Sequence, residues 1–214
     1  MINKNKKTYL YIGLGAVIFV AFVWLMAILW DVIITQKVIT LEPASGTTIT
    51  LGTQEGDTPA IKDQIAKTTT KLSKRLRPGA YIVIFSGKGY EDQSQAIDLN
   101  DNVSIKTPKL LFTDEKLAEA LTKEKNKLHE VVFRHINNDK YSIIGEGLYQ
   151  RADWYVVAAR SKSDDLDDLR LVLRKDSGEW KVAAGVSSVL WIDNYPDVPQ
   201  EIIRAANIIG FNPT

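Results

Sequence analysis

The order of apolar and polar positions divides the chain into segments of different rhythm. Leu10 to Trp30 (LYIGLGAVIFVAFVWLMAILW) has no charged residue and no polar face. Residues 37–42 and 47–51 alternate with a period of two, and Ala80–Phe85 (AYIVIF) is the strongest strand-like run in the chain. From Thr113 to near Ile136 the period lengthens, and Leu117, Leu121, Leu128, Val131, Val132 and His135 share one helical face. Strand-like runs return at 141–149, 153–160, 169–174 and 179–184. Gln200–Ile209 reads as a short helix with Ile202, Ile203, Ala206 and Ile209 inward and Gly210 as its stop.

The first segment predicts a transmembrane helix. At 1.5 Å per residue, residues 10–30 would span about 30 Å, the thickness of a hydrocarbon core. Tyr9, Tyr11, Trp24 and Trp30 sit toward its ends, where amphipathic rings favour the interface. No small-residue cleavage site follows Trp30, so the pattern is that of an uncleaved anchor. Lys4, Lys6 and Lys7 precede it without an acid, which predicts residues 1–9 as a short cytoplasmic tail and an extracytoplasmic C-terminal body. The expected localisation is therefore the cell membrane, single-pass, with the lipid bilayer as a partner through residues 10–30.

Residues 37–100 predict an all-β module. Pro43-Ala-Ser-Gly46 is turn chemistry between two strands. Residues 53–72 are polar and weakly patterned, and read as loop with one short strand. Arg77-Pro78-Gly79-Ala80 has the signature of a type II turn, with Pro78 setting φ and Gly79 supplying a positive one. Gly87-Lys-Gly89 lacks the Gly-x-x-x-x-Gly-Lys-Ser/Thr spacing of a phosphate loop and reads as a turn. The pieces Glu42–Gly46, Leu51-Gly52, Leu76–Tyr81 and Gly89-Tyr90 together resemble the PEGA domain. That resemblance implies a small β-sandwich, a non-catalytic module that serves as a spacer or a contact surface.

Residues 107–214 predict an α+β domain, a long helix followed by an antiparallel meander. Thr113 suits the N-cap, and Asp114 and Glu115 suit the positive end of the helix dipole. Asp176-Ser-Gly178 reads as a hairpin loop. With Gly178-Glu-Trp-Lys-Val182 as a closing strand, the order is faintly similar to cystatin-like or nuclear-transport-factor-like domains. The full expected architecture is one transmembrane helix, a β-sandwich module and an α+β module.

Composition narrows the chemistry. The 214 residues carry 27 Lys+Arg against 26 Asp+Glu, a net charge of +1, which gives no electrostatic footprint for nucleic acid. The absence of Cys excludes disulfides, thiolate metal sites and Cys nucleophiles, and fits a bacterial envelope protein held by its core alone. His129 and His135 are six apart and miss the i,i+4 spacing of a helical metal pair; His135, on the apolar stripe, reads as a hydrogen-bonded core residue. Asp164–Asp168 is an acidic loop without the Gly and distal Glu of a calcium loop, and weak calcium binding is the alternative to a solvated turn. No serine sits in a Gly-x-Ser-x-Gly elbow, and no cofactor or metal motif is present.

Aromatics remain. Trp and Tyr fill cores, and they also make binding platforms. Trp154, Trp180, Trp191 and Tyr195 are the candidate partner or glycan surface. The expected function is non-enzymatic binding or scaffolding at the cell envelope with a protein partner. The alternatives are a wall- or glycan-binding module using exposed aromatics, and an enzyme of unknown type.

Overall fold

The structure, a computed structural model, describes residues 4–30, 35–54, 60–163 and 166–210, with side chains on the first helix from Val17 onward. The chain is mostly β: three sheets, with three α-helices among the described residues. It folds into two compact units, residues 1–86 with 93–108, and residues 87–92 with 109–214.

Helix α1 runs from Lys4 to Trp30. The anchor expected over residues 10–30 is corrected here. Among the described residues no helix is long and apolar enough to cross a membrane. The single-pass localisation, the bilayer partner and the inside–outside assignment of the flanks rested on that span and fall with it. So does the expected fold class of an anchor followed by a sandwich and an α+β module.

The first unit holds two sheets. One has the order β4–β1–β7 (Leu72–Leu76, Lys37–Glu42, Val103–Lys106), and the other β3–β2–β5–β6 (Ile61–Thr68, Thr47–Gln54, Gly79–Gly87, Gln93–Leu99). β1 pairs antiparallel with β4 and parallel with β7. Ile39 and Leu41 on β1, and Ile49 and Leu51 on β2, are fully buried at alternate positions, as period-two pleating requires when one face of a sheet is covered. The stretch 53–72, expected to be mostly loop, supplies β3 and the start of β4. Both are edge strands whose polar residues face solvent, so burial leaves little apolar alternation to read.

The turns follow local chemistry. Thr47 N donates to Ala44 O at 3.0 Å with Gly46 at φ +76°, a type II arrangement, and Tyr90 N donates to Gly87 O at 3.1 Å with Gly89 at φ +75°. Gly79 differs from expectation: its φ of +154° opens β5, where it pairs with Leu99. The corner is held instead by Tyr81, whose hydroxyl donates to Arg77 O at 2.8 Å.

The second unit is a four-stranded antiparallel meander, β8 (Tyr141–Tyr149), β9 (Trp154–Ser161), β10 (Leu169–Asp176) and β11 (Glu179–Ser187), in the order β11–β10–β9–β8. Ser177 (φ +51°) and Gly178 (φ +87°) form the two-residue turn between β10 and β11, with Asp176 opposite Glu179. Helix α2 (Asp114–His135) covers one face with Leu128 and Val132, against Tyr155, Val157, Leu171, Leu173 and Trp180. Helix α3 (Gln200–Ile208) covers the other with Ile202, Ile203 and Ala206, against Trp154, Val156, Val172 and Ala184. The alternation of β9 decides this: 154 and 156 face α3, while 155 and 157 face α2.

Candidate interaction surface

The chemistry of the second unit concentrates where α2 meets its sheet. Glu146 lies on β8 between Gly145 and Gly147. Its Oε2 accepts from the Tyr155 hydroxyl at 2.7 Å and lies 2.7 Å from His129 Nε2, while Oε1 meets Lys125 Nζ at 2.6 Å. Burial pushes this carboxyl up, but the donors from Lys125, Tyr155 and His129 outweigh it and hold it below the ordinary carboxylate value. Tyr155 is fully buried, and burial together with the Glu146 carboxylate pushes its hydroxyl up, so it stays a donor. With three partners on one carboxylate, Glu146 fastens α2 to the sheet rather than waiting for a substrate proton.

A second fastening lies further along. Glu124 of α2 takes Lys175 Nζ at 2.5 Å and the Trp180 indole N–H at 2.7 Å. Its carboxyl is pushed up by burial and brought below the ordinary value by Lys175 and Trp180.

The glycines beside Glu146 serve the opposite face. A Cβ on Gly145 would lie 2.6 Å from Gly210 N and 2.9 Å from Gly210 Cα. Gly145 is glycine because the end of the α3 segment closes onto β8 there. Gly210, at φ +75°, follows the helix in the left-handed conformation.

The four aromatic candidates separate. Trp154 and Trp180 are each only 6% exposed, and they lie on opposite faces of the sheet, in the α3 and α2 cores. Tyr195 is half-buried against the α3 core. Trp191 is 68% exposed. It sits on the segment after β11, beside a groove of about 480 Å³ whose walls include Val189, Ile203, Arg204 and Asn207. Asn207 pins that segment to α3: its Oδ1 accepts from Leu190 N at 3.0 Å and its Nδ2 donates to Leu190 O at 2.9 Å.

His135 does not take the core place expected of it. His135 is exposed, because it stands on the last turn of α2 beside the exposed residues 137–140. His129 is the one that engages the sheet. In the acidic loop, Asp164 and Asp165 lie outside the described residues, and Asp168 meets Arg160 at 3.4 Å. Among the described residues no three His, Asp or Glu side chains come together as a metal site would require. One buried group went unforeseen. Arg170 is 4% exposed, its Nε has no partner, and its terminal nitrogen reaches only Leu169 O at 3.4 Å.

Comparison with known proteins bears on the first unit. Residues 37–103, from the start of β1 to the start of β7, match the model of the family described as the phage tail tube protein C-terminal domain. The match spans less than a third of the chain. No curated protein and no solved structure matches the chain. The PEGA domain expected over residues 37–100 is replaced by this finding. Of the pieces that suggested it, Glu42–Gly46 contributes to the Ala44–Thr47 turn and Leu76–Tyr81 holds the Tyr81 hydroxyl bond to Arg77 O, both hydrogen bonds between residues close in the chain. The matched description is that of a structural component, in keeping with a non-enzymatic chain that has protein partners.

Proposed function

We propose that this chain is a structural, non-enzymatic subunit whose first unit is an assembly module of the phage-tail-tube kind, joining other protein subunits. The observation that carries this reading is the match over residues 37–103. The engagement of Glu146 and Glu124 as fastenings supports it, since these two partly buried carboxylates of the second unit hold structure together. A glycan platform has less support, because two of the four candidate aromatics are core residues on opposite faces.

Sedimentation velocity and negative-stain electron microscopy of the full chain, over a concentration series, test the proposal. Multimers of defined ring or tube form are the expected result. A chain that forms no such multimer at concentrations up to the order of 0.1 mM, where contacts of micromolar affinity are saturated, would overturn it.

A further inference from the structure

We propose that the face formed by Trp191, Val189 and the adjoining groove pairs with the same face of a second copy of this chain. The residues lie outside the 37–103 match, so the inference does not rest on the tail-tube reading.

Three observations point to a copy of itself as the occupant. The first is shape. Trp191 is 68% exposed and Val189 46%, unusual for large apolar side chains, and both line a groove of about 480 Å³. Projection and recess occur on one patch, the requirement for an isologous two-fold contact. The Asn207 clamp on Leu190 fixes the lip against α3, so little ordering is needed on association.

The second observation is charge. Asp193 and Arg204 both line the groove and are both exposed. Among the described residues neither makes an ion pair within 4 Å. A two-fold axis through the patch would bring Arg204 of one copy to Asp193 of the other, twice. The third is the near-neutral net charge of +1, which sets up no self-repulsion against pairing.

The test is sedimentation equilibrium of the full chain and its variants, each checked for native circular dichroism. Trp191→Ser removes an exposed side chain and leaves the core intact; it is expected to weaken pairing by roughly 30-fold or more, the size of an aromatic anchor. Arg204→Glu and Asp193→Arg are each expected to weaken pairing roughly threefold, as exposed charge pairs do. An equimolar mixture of those two charge variants should pair as well as the unsubstituted chain, because each opposed couple is then complementary across a two-fold axis. An unsubstituted chain that stays monomeric, association unchanged by Trp191→Ser, or a mixture no better than either charge variant alone would each overturn the proposal. Loss of pairing in Trp191→Ser with ring or tube multimers retained would separate this contact from the assembly of the first unit.

Discussion

Helices α2 and α3 cover opposite faces of one sheet, and they hold it by different means. α2 is 22 residues long, yet only Leu128 and Val132 on it are buried; its grip is completed by Glu124, Lys125 and His129 reaching Lys175, Trp180 and Glu146. α3 has nine residues, of which Ile202, Ile203 and Ala206 are buried, and its polar tie to the rest of the unit's interior is the amide of Asn207. A long helix with a narrow apolar stripe leaves room for charged fastenings at the margins. A short helix must rely on close apolar packing, and the glycines at 145 and 210 allow that closeness. The two faces should therefore fail differently.

The largest effect is expected on the α3 face. Ile203→Ala removes a fully buried side chain from a small cluster and should cost about 2–5 kcal/mol of unfolding free energy in denaturant titration. A loss below about 1 kcal/mol would mean that α3 is held by something other than packing. On the α2 face, Glu146→Gln leaves the Tyr155 hydroxyl and the His129 ring without their carboxylate, at an expected cost of about 2–3 kcal/mol. A double-mutant cycle with Tyr155→Phe should show the two changes to be coupled. Additive losses would break the picture of one shared fastening.

Arg170→Met should act in the opposite direction. A buried guanidinium without a carboxylate gives way to an apolar chain of similar length, and stability should rise by about 1 kcal/mol, read as a higher melting temperature. The smallest effect is the pH response. Glu146 and Glu124 both titrate below the ordinary carboxylate value of 4.5 in the folded chain. Their contribution is present above that value and is lost as pH falls through the lowered folded value. Acidification below about pH 4.5 should raise amide exchange in α2 before α3; simultaneous loosening of both would erase the distinction.

Some of this was legible in residue order. The extent of α2, the Asp176–Glu179 hairpin and the turn at Gly87–Tyr90 follow from a 3.6-residue period and from glycine at positions of positive φ. The inward stripe Ile202, Ile203 and Ala206 of α3 follows from its spacing. Other features were not legible. His135 lies in line with the apolar stripe, and only the absence of cover over the last turn exposes it. Gly145 and Gly147 look like interruptions of a strand, whereas they are the places where one face receives α3 while Glu146 faces α2 between them. Trp154, Trp180 and Trp191 are the same residue type in similar surroundings, and only burial distinguishes two core residues from one exposed one.

The sequence by itself determined many of the local conformations: the extent of α2, the strands with clean apolar alternation, the hairpin at 176–179 and the inward stripe of α3. Those properties depend on steric limits and periodicity within a few residues of chain. Only the tertiary structure decided which face each aromatic joins, which histidine meets a carboxylate, and which apolar side chains stay exposed. Those outcomes depend on residues from distant strands and helices meeting in one place, as when Glu124 meets Trp180 or Gly145 meets Gly210. No pattern along a single segment carries that information.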